Sequence, residues 1–288
     1  MTPKRIPDSA GNARVIEDPL DPWHAAALHA ALDLDGPPPQ AGDPLPPLWH
    51  FVYFREAARA SALGHDGHPR TGDFIPDVGL PRRMWAGGRL RFLAPLILGA
   101  PARRVSAVQN VALKQGRGGP LAFVTIRHEI FAGQALAIRE EQDLVYRPLP
   151  APGDPAPAPA PRRADAPAWR REATADSTLL FRYSALTYNG HKIHYDLRHA
   201  TEVEGYPDLV VHGPLIAQLL ADLARAHAPR PLARFEFRAV SPVFRGRPFA
   251  LCGAPERAGG AEQAIDLWAL NEDGRLAMTA RATPEPGR

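Results

Sequence analysis

A single cysteine, Cys252, stands in 288 residues. One thiol excludes an intramolecular disulfide, a cysteine zinc cluster and an iron–sulfur site together. No apolar run approaches the roughly 20 residues that cross a bilayer. The opening MTPKRIPDSAGNARVIEDP also lacks the apolar stretch of a secretory signal, so a cytoplasmic location without membrane contact is expected. No block of five Lys/Arg occurs, and 34 Lys+Arg against 31 Asp+Glu leave a net charge of only +3. Nucleic acid is therefore not an expected partner. What is present is globular: 45% of residues are hydrophobic, and at roughly 100–200 residues per domain the chain has room for two domains.

Proline divides the chain. Residues 148–167, PLPAPGDPAPAPAPRRADAP, hold eight of the 33 prolines and nothing apolar larger than leucine at its start. Proline at alternate positions cannot feed a sheet ladder or a helix, so an extended, semi-rigid linker is expected between an amino-terminal repeat, 1–147, and a carboxy-terminal repeat, 168–288. A second proline-rich stretch, Pro37 to Pro47, reads as an irregular loop.

Each half opens with a helical, loop-rich portion and closes with strand candidates. Leu232 to Val240 alternates Phe235, Phe237 and Ala239 with Arg234, Glu236 and Arg238, the period of a sheet with one buried face. Phe249–Ala254, Ala264–Leu270 and Leu276–Ala282 follow, with Gly259-Gly260 and Asp273-Gly274 as turn signals. Ahead of them, Pro214 to His227 places Leu215, Leu219, Leu220 and Leu223 on one helical face. The matching strands of the first half are Arg89–Leu96, Val105–Gln115, Leu121–Ile130 and Gln134–Tyr146, with Gly116, Gly118-Gly119 and Gly133 at the turns, and Trp49–Ala62 is the counterpart helix. A long helix followed by an antiparallel sheet, twice over, is an α+β plan.

Reactive side chains concentrate in Phe181 to Gly213, which holds four of the eleven histidines: His191, His194, His199 and His212. His191 and His194 stand at i, i+3 with Asp196 close by, but no second ligand pair is evident, so no metal is expected.

The stretch SALTYNGHKIHYD (Ser184 to Asp196), with EGYP at 204–207 and LVVHGPL at 209–215, resembles the MaoC-like, (R)-specific enoyl-thioester hydratase/dehydratase family. The resemblance is to its double-hotdog branch, which includes mesaconyl-CoA and itaconyl-CoA hydratases and 3-hydroxyacyl-thioester dehydratase type 2. In the first half, PRRMWAGGR (Pro81 to Arg89), His128-Glu129-Ile130 and Glu140 to Asp143 resemble that branch's amino-terminal repeat, itself like the fungal fatty-acid synthase dehydratase domain.

The resemblance implies a hotdog fold in each half and reversible addition of water across the 2,3-double bond of a thioester, with no cofactor beyond coenzyme A in the substrate. The family motif is D-x-N-x-x-H. Aligned on the downstream pattern His194-Tyr195-Asp196-Leu197-Arg198-His199-Ala200, the catalytic His falls on His194, the Asp position on Asn189 and the middle Asn on His191. An Asn amide accepts a hydrogen bond but takes no proton. Asn189 is therefore expected to position the water while His194 carries all proton transfer. The backbone N–H of Gly213, at the start of the Pro214 helix, is the expected donor to the thioester oxygen.

The first half contains no D-x-N-x-x-H spacing; Asp33 and Asp35 lie in the corresponding loop, and the repeat reads as non-catalytic. Arg82, Arg83 and Arg89, beside Trp85 and Gly87-Gly88, could bind a CoA phosphate or a substrate carboxylate, and equally could form a solvated turn before a strand. His191 and His212 complete the expected substrate-binding set. The leading activity is hydration of a short branched dicarboxylyl-CoA of the mesaconyl or itaconyl type. The alternatives are a 3-hydroxyacyl-acyl-carrier-protein dehydratase and a non-catalytic acyl-thioester binder, motivated by the missing Asp; a thioesterase is disfavoured because nothing here supplies the acidic nucleophile or base a hydrolase needs. A monomer and a homodimer are both compatible with two fused repeats.

Overall fold

The computed structural model describes residues 13–116, 119–151, 159–163, 165–256 and 264–287. Ten strands form one antiparallel sheet in the order β1-β3-β4-β5-β2-β7-β10-β9-β8-β6. The first half contributes β1 (Arg14–Asp18), β2 (Arg82–Phe92), β3 (Ala102–Gly116), β4 (Gly119–Ala132) and β5 (Ala135–Arg147). The second contributes β6 (Trp169–Thr174), β7 (Leu232–Ala239), β8 (Pro248–Pro255), β9 (Ile265–Leu270) and β10 (Leu276–Pro284). The order within each half is the same, so the sheet is two copies of one five-stranded plan joined where β2 pairs with β7.

That junction explains a pair of glycines. Gly88 lies opposite Phe237 and Gly87 opposite Arg238. A Cβ on Gly87 would sit 2.6 Å from the Phe237 carbonyl oxygen, and one on Gly88 2.5 Å from the Phe237 ring. Gly87-Gly88 thus permits the close approach of the two halves. β2 also starts at Arg82 rather than Arg89, which makes Arg82, Arg83 and Trp85 strand residues instead of a solvated turn.

Helix α3 (Gly213–His227) packs against β7–β10 and buries Leu215, Ile216, Leu219, Leu220 and Leu223. Its 3.6-residue apolar period and the proline in its first turn are what the sequence showed. Helix α1 (Pro22–Ala31) starts on Asp21, whose carboxylate accepts from the Trp23 N–H, and α2 (Ser177–Thr187) starts on Asp176, which accepts from Leu179 N–H at 2.8 Å.

The counterpart helix expected over Trp49–Ala62 does not form. Only two 3₁₀ turns appear there, Trp49–Val52 and Ala60–Ala62. Leu48 and Phe54 take left-handed backbone conformations (φ 67° and 53°), which break a helix at either end of the apolar run. The spacing of Trp49, Val52 and Tyr53 mimics a helical face, but these side chains are buried as separate anchors: the Trp49 indole N–H donates to Asp222 on α3, and the Tyr53 hydroxyl to the Asp21 carbonyl. The plan of helix plus sheet is therefore realised fully only in the second half.

The turn expected at Gly259-Gly260, Gly118, and linker residues 152–158 and 164 lie outside the described residues. Within the linker, Arg162 forms an isolated bridge with Arg275 and the Pro161 carbonyl accepts from the Leu276 N–H of β10 at 2.9 Å, so that part of the proline-rich stretch does meet a strand.

Candidate active site

Between the halves lies a cavity of about 640 Å³. Its walls combine Leu121, Phe123 and Leu144 of the first half with His194, Val211, Gly213 and Ile216 of the second half. The histidine segment enters it in steps. The helix α2 covers the first seven residues of the cluster, Phe181–Thr187, and ends at Tyr188 with a left-handed backbone (φ 52°). Asn189 follows, its N–H donating to Ser184 O and its side-chain oxygen accepting from the His191 N–H at 3.0 Å. A 3₁₀ turn, Lys192–His194, then carries His194 into the wall.

His194 is 6% exposed, and its Nδ1 lies 2.7 Å from the Val210 carbonyl oxygen. A carbonyl only accepts, so Nδ1 carries the proton and Nε2 offers a lone pair. Burial pulls the His194 pKa from 6.5 down to about 4, against the hydrogen bond to Val210, which raises it. The ring is neutral at pH 7. Behind it stands His212, fully buried, with Nε2 2.8 Å from Ser184 Oγ. His212 supports His194 from behind and does not line the cavity. Gly213 follows directly as the first residue of α3, facing the indole of Trp85; a Cβ there would meet that ring at 3.0 Å. The first-turn N–H groups of α3 have no helical partner and point outward from its positive end.

The three arginines separate. Arg82 is buried against Glu204 at 2.6 Å and stacks on Tyr206. Arg89 is partly exposed and paired with Glu141 and Asp143 away from the cavity. Neither is free to take a substrate anion. Arg83 lines the cavity and forms no ion pair among the described residues. Trp85, Asn189 and His191 line it as well, whereas Asp33 and Asp35 do not.

Several lining residues were invisible in the sequence. Loop 64–68 of the first half brings His68 to the wall, its ring 4.5 Å from that of His191. Asp66 accepts from both the His68 backbone N–H and, at 3.1 Å, His68 Nδ1. Asp66, His68 and His191 each offer one possible ligand atom within 4.8 Å of the others. Arg104, His50 and Glu140 form a second polar group at the cavity's first-half end, with His50 Nε2 3.1 Å from Glu140. These residues come from loops and strands far apart in the chain, and the sole local signal is His65-Asp66-Gly67-His68.

The sequence profile of the hydroxyacyl-thioester dehydratase type 2 family matches residues 48–245. The chain belongs to this family. It is 47% identical over 274 residues to mesaconyl-C(4)-CoA hydratase of Chloroflexus aurantiacus, covering 94% of each chain. It is 30% identical over 234 residues to the mitochondrial hydroxyacyl-thioester dehydratase type 2 of Schizosaccharomyces pombe, covering 72% of this chain and 77% of that one. HtdX from Mycobacterium tuberculosis shares the fold, with a TM-score of 0.64 at 20% identity over 94% of this chain and 99% of the other. A second M. tuberculosis structure, described as a double hotdog, overlays with a TM-score of 0.58 at 16% identity over 95% and 96% of the two chains. The α+β, double-hotdog architecture is thus established, and the chain is a hydro-lyase of the hydratase/dehydratase kind. Among the described residues no helix is long and apolar enough to cross a membrane.

Proposed function

We propose that this chain adds water reversibly across the 2,3-double bond of a short branched dicarboxylyl-CoA, with mesaconyl-C4-CoA as its substrate. The observation that carries the reading is His194: a buried neutral imidazole in the cavity wall beside Gly213 and Pro214, whose Nδ1 is fixed on Val210 O so that Nε2 keeps its lone pair.

The thioester oxygen accepts from the Gly213 N–H. His194 Nε2 takes a proton from water as the oxygen bonds to the β-carbon, and the π electrons move onto the thioester as an enolate. The imidazolium then returns its proton to the α-carbon on the same face. Asn189 shapes the approach: with one lone pair of its oxygen committed to the His191 N–H, it holds the turn that presents His194.

In mesaconyl-C4-CoA the carbon that receives hydroxide also carries the methyl group and the free carboxylate. The countercharge must then lie near His194. Arg83 is the candidate: it lines the same cavity and its charge acts on His68 and on His191, whose ring centre lies 5.4 Å from that of His194. Arg104 lies at the other end, beside Glu140. Both walls come from one chain, so the reading requires no second copy, and a homodimer is neither needed nor opposed by it.

Absorbance at the enoyl-thioester band, followed with mesaconyl-C4-CoA, crotonyl-CoA and an enoyl acyl-carrier-protein ester, tests the proposal. Hydration bleaches the band; preference for the carrier-protein ester would favour the reverse reaction of fatty-acid synthesis. Release of free thiol, or no change at all, would refute hydration.

A further inference from the structure

The motif position that holds an Asp elsewhere in the family holds Asn189 here, and its side-chain oxygen is already engaged by a backbone N–H. The nucleophilic water therefore meets no carboxylate at this position, only the second lone pair of a neutral amide oxygen. The first half brings another acceptor to the same place. Its loop 64–68 is pressed onto the histidine turn: the Asp66 carbonyl accepts from Lys192 N–H at 2.9 Å, and Gly67 (φ 88°) faces Gly190 so closely that a Cβ on it would lie 1.9 Å from the Gly190 oxygen. Only glycine fits there, and the contact fixes His68 relative to His191 and His194. The three rings follow one another along the wall, 4.5 Å from His68 to His191 and 5.4 Å from His191 to His194 between ring centres.

Within the loop, the Asp66 carboxylate, which only accepts, holds the proton of His68 on Nδ1. His68 Nε2 is left with a lone pair on the cavity side. His191 Nε2, between the other two, is buried without a hydrogen-bond partner among the described residues, as befits a site that receives a polar guest.

Building on the hydratase reading, we propose that the Asp66–His68 pair of the non-catalytic repeat is a positioning element for the nucleophile. Water is gripped between two neutral imidazoles. One of its hydrogens passes to His194 Nε2 and on to the α-carbon; the other is held by His68 Nε2 and stays on the product hydroxyl. The oxygen–carbon bond forms as the carbon–carbon π bond breaks, and no further reactant is consumed. The acceptor that the family places five residues before its histidine is in this chain supplied across the repeat boundary.

Four proteins test this: the parent, His68→Asn, Asp66→Asn, and His68→Asn combined with Asn189→Asp. His68→Asn is expected to lose about 10²-fold in kcat with KM for mesaconyl-C4-CoA within threefold. Asp66→Asn should lose less, because it frees the His68 tautomer without removing the ring. Adding Asn189→Asp, which places a carboxylate at the motif position, should restore at least tenfold of the loss; a structural defect in loop 64–68 would not be repaired from position 189. Circular dichroism melting confirms that each variant is folded. A folded His68→Asn enzyme as active as the parent, or a defect that Asn189→Asp does not relieve, overturns the proposal and leaves the hydratase reading standing. Activity abolished by chelation and restored by zinc would assign Asp66, His68 and His191 to a metal ion and overturn it equally. A parent that bleaches no enoyl-CoA ester overturns the functional reading and this inference together.

Discussion

The imidazoles of His194 and His212 lie face to face, ring centres 3.7 Å apart and planes 19° from parallel. Burial and the neighbouring His194 hold His212 well below 6.5, and burial, with a smaller push from His68, holds His194 near 4. Burial keeps the proposed base in its neutral, proton-accepting form throughout the neutral range.

The acidic limb of kcat/KM is accordingly expected near pH 4 rather than at 6.5. Activity is full above this limb and falls as the pH drops through it. Stability moves the same way, because the unfolded chain binds protons that the folded His194 refuses. Folding free energy should decline as pH falls from 6.5 toward 4. A pH–rate profile recorded with circular dichroism at each pH separates the two effects. A limb at or above 6.5 in folded protein would show that His194 is not the titrating base.

Arg83 and Arg82 should behave differently although they are adjacent. Arg83→Met is expected to lower kcat/KM for mesaconyl-C4-CoA by at least tenfold more than for crotonyl-CoA, which lacks the free carboxylate, with little change in Tm. Arg82→Met strands the buried Glu204 carboxylate and should cost about 3–5 kcal/mol of stability, affecting both substrates alike. Equal losses on the two esters from Arg83→Met would assign that arginine to CoA or to structure.

At Gly213 a methyl group must displace the Trp85 indole, which it would meet at 3.0 Å. Gly213→Ala should therefore reduce turnover by about 10²-fold, the scale of one misplaced oxyanion donor. Binding of the unreactive butyryl-CoA, measured calorimetrically, should weaken far less. A variant with parental turnover would remove the Gly213 N–H from the reaction.

Much of this architecture was legible in the sequence, for identifiable reasons. The strands of the second half announced themselves through period-two alternation, as at Phe235 and Phe237, and α3 through its leucines. His194 stood out in the sequence because its segment resembles a family pattern even where Asn189 departs from it, and the structure places it in the cavity wall. Helix α2 was missed because its face is mixed: Phe181 is 66% exposed, while Tyr183 and Ser184 are buried beneath it. The false helix at Trp49–Ala62 arose because buried aromatic anchors can share a helix's spacing without its backbone. Gly87-Gly88, read beside the arginines as part of an anion site or a solvated turn, lies inside β2 at the junction with β7. His68 and Asp66 gave no more than the short His65-Asp66-Gly67-His68 cluster, since their meaning comes from being folded against residues more than a hundred positions later.

The most direct measurement is the enoyl-thioester absorbance of mesaconyl-C4-CoA with the parent chain and with His194→Ala, at equal concentration and matched circular dichroism. The account predicts rapid bleaching by the parent and a loss of at least about 10³-fold on removing the single proton carrier. A folded His194→Ala protein that hydrates within threefold of the parent would contradict it.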